Sequence, residues 1–232
     1  MRVIFFVPYP IEGPSNRYRV NQYIPYLEEH GVNCSVRPFL SSGFYKILYS
    51  QGNFLKKLTY LFISTLKRVR DVFQARNYDI IFIHRECFPL GPPFLEWVLS
   101  KLGKPVIYDF DDAIYLSDER KKGTLKTLLK CHQKVPHIIK MADHVIVCND
   151  YLKTYCMPFN SNVTIIPTSV DTDLFSMKHY PSKHNESQKK EIILGWIGGN
   201  TAEAPYILIG KIATIAYFGY FLFIIPLLSY LD

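Results

Sequence analysis

The chain has 232 residues, enough for one full domain and part of another, and its composition is that of a globular protein, 48% hydrophobic and 20% charged. Its five cysteines are odd in number and lack C-x-x-C spacing, which argues against a disulfide framework or a zinc site and favours reduced thiols in the cytoplasm. The net charge of +7 favours anionic partners, although ordinary solubility accounts for it equally well. Met1 leads directly into an apolar strand, so no signal peptide is predicted.

The chain opens with a predicted strand, loop, helix and second strand. Residues 2–7 have the length and branching of a buried parallel strand, and prolines and a glycine form the loop at 8–14. A helix is predicted to begin at Ser15 or Asn16, either of which could cap it, and to end at Gly31 before a strand at 32–36. This order predicts a doubly wound sheet, but the loop has no G-x-G-x-x-G, so a dinucleotide fingerprint is not supported.

A long amphipathic helix is predicted over residues 54–76. One stripe of it is apolar: Leu55, Leu58, Phe62, Leu66, Val69 and Phe73. Basic residues crowd the rest and are opposed only by Asp71: Lys56, Lys57, Lys67, Arg68, Arg70 and Arg76. The favoured interpretation packs the stripe on the sheet and leaves a solvated basic face. The alternative lays the helix on an anionic membrane surface.

Strands predicted at 79–84, 105–108, 144–148 and 163–166 alternate with helices at 94–102, 124–141 and 150–156, which indicates a parallel α/β sheet. The strand at 105–108 runs into Asp109, Asp111 and Asp112. Carboxylates are costly in a core unless they are paired, so we expect this cluster at the carboxyl-end rim of the sheet, near the loop that contains Gly13. At the end of another strand, His84 is either a base or a hydrogen-bonded scaffold residue.

The C-terminal part of the chain has a different character. Residues 181–190 are polar and rich in helix breakers, and they read as a linker. Residues 191–197 predict a fresh strand, followed by a tight turn at Gly198, Gly199 and Asn200. The run 212–231 carries no charge and has about the length needed to span a bilayer as a helix.

Four segments together resemble the retaining glycosyltransferases of family 4, which have the two-domain GT-B fold. They are PSNRYRVNQYIPYLEEHG, YDFDDAI, VIVCNDYL followed by VTIIPTSVDTDLF, and LGWIGGNTAEAPYI, and they extend over residues 1–206. The resemblance implies a Rossmann-like N-terminal domain at 1–180, the linker at 181–190 and the start of an incomplete donor-binding domain at 191–206. An apolar tail, predicted to be helical, follows at 207–232.

The resemblance also implies an activity and a set of site residues. Such enzymes transfer a sugar from a nucleotide-sugar donor to a polysaccharide or glycolipid acceptor, and no metal or other cofactor is expected. Gly13, Gly198 and Gly199 match positions near the donor phosphates. The expected acceptor or cleft residues are Arg17, Arg19, Glu86, Asp109, Asp111 and Asp112. Glu86, beside Arg85, is also a candidate for a local ion pair.

A complete family member continues well past residue 206, so this chain is expected to be truncated and weakly active or inactive alone. It is expected in the cytoplasm at the cytoplasmic membrane, on an anionic lipid surface. Two other functions stay open: a metal-dependent GT-A glycosyltransferase that uses the D-x-D carboxylates, and a non-catalytic membrane-associated remnant or interaction module. Nucleic-acid binding is disfavoured because the basic residues lie mostly on one apolar-striped helix without an aromatic RNA-binding signature.

Overall fold

The computed structural model describes residues 1–48, 50, 52–116 and 133–173, which all belong to one compact unit, Met1–Met177. Its sheet consists of β1 (Arg2–Val7), β2 (Asn33–Pro38), β3 (Ile80–His84), β4 (Val106–Phe110), β5 (His144–Val147) and β6 (Val163–Ile165). All six strands are parallel, in the order β2-β1-β3-β4-β5-β6. The predicted doubly wound α/β sheet is therefore confirmed, and its direction of winding reverses between β1 and β3.

The helices of the described residues are α1 (Pro14–Arg19), α2 (Ile24–Glu29), α3 (Ser42–Leu48), α4 (Phe54–Gln74), α5 (Phe94–Ser100), α6 (Lys134–Met141) and α7 (Asp150–Cys156). The single helix predicted after β1 is divided, because a 3₁₀ turn at Asn21–Tyr23 separates α1 from α2. Gly31 follows α2 with φ of +76°, a conformation that glycine adopts without strain, and the chain then enters β2. Asn149 caps α7, and its side chain accepts a bond from the Leu152 amide at 2.9 Å.

The core lies on both faces of the central strands. Alternate residues of β1 point to opposite faces, so Ile4 and Phe6 join one apolar cluster and Val3, Phe5 and Val7 join another. Helix α4 supplies Val72 to the first cluster, and Val20, just after α1, belongs to the second. Burial on both faces explains why the sequence of β1 is apolar throughout and does not alternate.

Helix α4 has the orientation opposite to the favoured sequence interpretation. The six residues Leu55, Leu58, Phe62, Leu66, Val69 and Phe73, which we call the outer stripe, are all exposed. The buried residues of the helix are Ser64, Arg68, Asp71 and Val72. The prediction that the apolar stripe packs on the sheet is therefore wrong, because a mostly polar face of α4 occupies that position.

The inner face of α4 is built around Arg68, which is only 1% exposed. Its guanidinium donates to the backbone carbonyls of Arg37 and Val7, both at 2.9 Å. It also lies over the rings of Phe6 and Phe39, at 5.1 and 5.7 Å from their centroids. These contacts satisfy carbonyls near the ends of β1 and β2, and they explain how a cation can replace an aliphatic side chain here.

Several predictions fall outside the described residues: the first part of the helix at 124–141, the linker 181–190, the strand and turn at 191–206 with Gly198 and Gly199, and the tail 207–232. The membrane-spanning run at 212–231 is among them. Within the three long stretches that the structure describes, no helix is both long and apolar enough to cross a bilayer.

Candidate functional site

The site lies where the winding of the sheet reverses. The loop after β1 and the residues that follow β3 and β4 meet at the carboxyl edge, and in open α/β sheets this crevice is where ligands bind. Ser15, the second residue of α1, reaches His84 of β3 and Asp111, which follows β4. The structure thus brings the aspartate cluster and the Gly13 loop to the same rim.

A buried ion pair anchors this rim. Arg19, at the end of α1, donates through Nε and Nη2 to both carboxylate oxygens of Asp109. The Arg19 Nη1 donates to the Ile166 carbonyl at 2.6 Å, so the same side chain ties the residues after β6 to the rim. Burial acts to lower the pKa of Arg19, but the hydrogen bond and charge of Asp109 outweigh it and raise that pKa. Arg19 therefore acts as a fixed cation of the scaffold, and Asp109 faces inward rather than into the crevice.

His84 connects the ion pair to the crevice. It is fully buried, its Nδ1 lies 2.7 Å from Asp109 Oδ2, and its Nε2 lies 2.6 Å from Ser15 Oγ. Because the Asp109 carboxylate only accepts, Nδ1 carries a proton. With a neutral ring, Ser15 donates to Nε2; with a charged ring, Nε2 donates to Ser15, whose proton is then free for Asp111 Oδ2 at 3.2 Å. The direction of the Ser15 hydroxyl is thus coupled to the protonation of His84.

Arg85 and two carboxylates form the accessible part of the rim. Arg85 Nη1 donates to Asp112 Oδ2 at 2.9 Å and lies 3.6 Å from Asp111 Oδ1. The Asp112 side chain is 67% exposed, whereas those of Arg85 and Asp111 are 20% and 16% exposed. Burial acts to lower the pKa of Arg85, but Asp111 and Asp112 outweigh it and raise it. This group presents carboxylate oxygens and guanidinium donors to a ligand in the crevice.

The backbone at Arg85 is also unusual. Its φ is +63°, in the left-handed region that non-glycine residues seldom adopt and that costs about 1 kcal/mol or more. Two hydrogen bonds hold it there: the Arg85 amide donates to the Asp109 carbonyl at 2.7 Å, and Tyr108 Oη donates to the Arg85 carbonyl at 2.8 Å. Because this conformation places Arg85 beside Asp111 and Asp112, we interpret it as part of the construction of the site.

Glu86 lies apart from the crevice carboxylates. It pairs with Lys134 of α6 at 2.8 Å, and not with its neighbour Arg85, so the expected local ion pair has a different partner. Lys134 is almost fully buried and also donates to the Phe88 carbonyl at 2.6 Å. Glu86 therefore attaches α6 to the loop after β3, and its position gives it no contact with Asp111 or Asp112.

The loop at Gly13, where a phosphate site is predicted, is tightly folded. Gly13 is buried, and a Cβ atom there would lie 2.5 Å from the Cβ of Tyr9, so glycine is needed for the loop to fold this tightly. Ser15 and Asn16 do not cap α1, which begins at Pro14; Asn16 Nδ2 donates to the Tyr9 carbonyl instead.

Arg17 is exposed and lies over the Tyr18 ring, away from Arg19. The two arginines therefore do not form a shared anion site.

The D-x-D alternative is disfavoured by the positions of its carboxylates. Both oxygens of Asp109 are engaged by Arg19 and His84, so Asp109 and Asp111 do not face a common ion. In the described part of the chain, no cluster of three His, Cys, Asp or Glu side chains is placed to hold a metal.

A shallow aromatic depression of about 410 Å³ adjoins the rim. It is lined by Tyr115, which follows β4, and by residues of α7: Asp150, Tyr151, Thr154 and Tyr155. The rings of Tyr115 and Tyr155 are stacked with centroids 3.5 Å apart, and Tyr151 is 64% exposed. Tyrosines combine a flat apolar surface with a polar tip. The depression can therefore contact the face of a bound ring and also the hydroxyl groups of that ring.

Sequence reasoning missed two parts of this arrangement, Ser15 and Arg85. The sequence pattern predicts Ser15 as a helix cap, and only its place at the winding reversal indicates another role. For Arg85 the sequence indicates only a partner for Glu86, because the left-handed backbone of Arg85 has no signature in the sequence.

These features define a doubly wound α/β domain with a polar crevice at its switch point. The sequence model described as Glycosyltransferase Family 4 matches residues 24–174, more than half of the chain. The chain therefore belongs to glycosyltransferase family 4, as the sequence resemblance indicated.

Three known proteins show more limited similarity. The crystal structure of Anabaena Alr3699/HepE in complex with UDP-glucose has 14% sequence identity to this chain and a TM-score of 0.46. The match covers 75% of this chain and 46% of the HepE chain. Cytochrome b of Chondrus crispus is 51% identical, and cytochrome b of Starmerella bacillaris 54% identical, over 41 residues. Each of those short matches spans 18% of this chain and 11% of the cytochrome.

Proposed function

We propose that this domain binds the acceptor for a glycosyltransferase that moves a sugar from a nucleotide-sugar donor to a polysaccharide or glycolipid. Family membership supports sugar transfer as the reaction class. The observation that carries the acceptor role is the rim group of Arg85, Asp111 and Asp112, which remains accessible while Asp109 is enclosed. Its oxygens and guanidinium donors match the hydroxyl groups of a sugar, and the tyrosine depression offers adjoining ring surface.

The remaining parts of the proposal rest on the sequence. The donor phosphates are proposed to contact Gly13, Gly198 and Gly199, and transfer is proposed to need a complete donor-binding domain. We further propose that the protein works in the cytoplasm, at the cytoplasmic membrane.

An array of immobilised oligosaccharides and glycolipids, probed with the full-length chain, tests acceptor binding without requiring turnover. We expect binding to a subset of these glycans, and calorimetry on the best soluble glycan should show at least about tenfold weaker binding for Asp111→Asn. Glu29→Gln is the matched control, because Glu29 is an exposed carboxylate on α2, away from the rim. Absence of glycan binding, or equal binding by Asp111→Asn, would contradict the proposal.

A further inference from the structure

The outer stripe of α4 is an extended apolar surface. Its exposed fractions include 76% at Leu55, 64% at Phe62 and 58% at Phe73, and Phe54 and Ile63 add exposed apolar area beside it. The helix has 21 residues, so the stripe runs for about 30 Å along the domain. Soluble monomers seldom expose a contiguous apolar patch of this kind unless it is an interaction site.

Positive charge adjoins the stripe. On the 3.6-residue period, Lys56, Lys67 and Arg70 lie together along one flank of the stripe, and all three are exposed. The only acidic residue of α4 is Asp71, which is fully buried and accepts a bond from Arg70 at 3.1 Å. The outward surface of this helix is therefore apolar and cationic, since Asp71 compensates Arg70 alone and Lys56 and Lys67 have no carboxylate partner on α4.

We propose that α4 lies in the interface of an anionic lipid bilayer. The outer stripe enters the acyl boundary, and Lys56, Lys67 and Arg70 contact the anionic headgroups. An apolar stripe beside a basic flank complements both layers of such an interface at once. A purely apolar partner would leave Lys56 and Lys67 without a counterpart, and a purely anionic partner would leave the stripe in water.

The same geometry places the crevice near the bilayer. Arg68 contacts the carbonyl of Val7, the last residue of β1, so the part of α4 before it lies toward the carboxyl rim. In that part, Tyr60 stacks on Phe44 of α3, and Leu61 packs in the cluster that includes Tyr9 of the loop after β1. A bilayer bound to the stripe is thereby next to the rim, within reach of a lipid-linked acceptor.

This inference goes beyond sugar transfer, and its test uses no sugar donor, so it can fail independently of the proposed function. In the full-length chain, Phe62→Trp places a fluorophore in the outer stripe. Tyr26→Trp is the matched control, because Tyr26 is 61% exposed on α2, on the opposite face of the sheet. Vesicles of phosphatidylcholine and phosphatidylglycerol carry brominated acyl chains, which quench only tryptophans at the acyl boundary. Emission from the two native tryptophans is subtracted with the unsubstituted protein.

We expect quenching in Phe62→Trp and none in Tyr26→Trp. Adding Lys56→Gln and Lys67→Gln to Phe62→Trp should raise the lipid concentration at half-quenching by about tenfold, whereas Lys101→Gln with Lys140→Gln should not. Absence of quenching in Phe62→Trp overturns the proposal, and so does equal quenching in both tryptophan variants. A blue-shifted emission of Phe62→Trp that rises with protein concentration and is unchanged by vesicles also overturns it, since a second copy would then cover the stripe.

Discussion

Two buried arginines on opposite sides of β1 are held in different ways. At the rim, Arg19 is bonded to both oxygens of the Asp109 carboxylate. Beneath α4, Arg68 donates instead to the backbone carbonyls of Arg37 and Val7 and lies against two aromatic rings. The first cation is balanced by a full opposite charge, and the second is held by partial charges.

The pKa shifts follow this difference. Burial opposes the charged form in both cases, but Asp109 reverses the effect at Arg19 and raises its pKa, whereas desolvation prevails at Arg68 and lowers its pKa. Removing Arg19 would leave a buried carboxylate without its bonded cation. Removing Arg68 would leave carbonyl groups without a donor, and no carboxylate is hydrogen-bonded to it, although the charges of Asp71 and Glu96 act on it. The rim is therefore expected to depend on each of its charges more strongly than the inner face of α4 does.

The largest effect is expected from Arg19→Met. It leaves Asp109 buried beside His84 without its cation, which should lower the free energy of unfolding by about 3–5 kcal/mol. Urea unfolding of the full-length chain measures this loss. Arg17→Met is the control, because Arg17 is exposed on the same helix, and its change should stay within about 0.5 kcal/mol. Equal losses in the two variants would mean that Asp109 has adequate partners without Arg19.

Arg68→Met should cost less, about 1–3 kcal/mol. The methionine fills much of the apolar space, and the loss comes mainly from carbonyls that no longer have a donor. The neighbouring exposed residue provides the control Lys67→Met, which should change stability little. A loss for Arg68→Met as large as that for Arg19→Met would remove the contrast between the two regions.

The two regions also differ in how well the sequence predicted them. Long apolar runs identified the strands, and the rule that parallel strands share a carboxyl edge placed Asp111 near the Gly13 loop. For α4, periodicity located the apolar stripe but gave no information on whether the stripe faces the sheet or the solvent. An apolar stripe on a helix usually packs on the core, so the pattern predicts burial of this one. Nothing in the pattern distinguishes Arg68 from the solvent-facing lysines around it.

The roles of residues within the rim were harder to predict than its location. Asp109 and Asp111 are two residues apart in one motif, yet the structure encloses Asp109 and leaves Asp111 in contact with Ser15 and Arg85. Alternation along a strand would place residues two apart on the same face, so it does not predict that Asp109 is enclosed while Asp111, just beyond β4, is accessible. That choice depends on Arg19 and His84, which are 90 and 25 residues away in the chain.

Ser15→Ala tests the connection between the buried and accessible parts of the rim. His84 Nε2 loses its partner at 2.6 Å, so we expect a loss of about 1 kcal/mol and a Tm lower by about 2–4 °C. Ser50→Ala removes an exposed hydroxyl that donates to the nearby Ile47 carbonyl, and it should leave Tm almost unchanged. NMR of the His84 ring nitrogens adds a specific readout, since the Nε2 resonance should move in Ser15→Ala alone. An unmoved resonance would show that Ser15 and His84 are not hydrogen-bonded.

The smallest effect is expected at an exposed arginine–aspartate pair, on the opposite edge of the sheet. Arg2 and Asp79 lie 3.5 Å apart, and their side chains are 58% and 44% exposed. Water therefore screens this pair, whereas the Arg19–Asp109 pair is enclosed. The Asp79 carboxylate accepts the Arg2 amide at 2.7 Å, and this bond is the main cause that lowers its pKa from the ordinary 3.8. Because the folded-state pKa lies below the unfolded one, Asp79 stabilises the fold above pH 3.8 and loses that contribution as the pH falls through its folded-state pKa. Asp79→Asn keeps an acceptor for the amide and removes only the charge, so its Tm should fall less than that of Ser15→Ala at pH 7 and match the unsubstituted protein in strong acid. A deficit that persists in acid would show that the carboxylate charge is not its source.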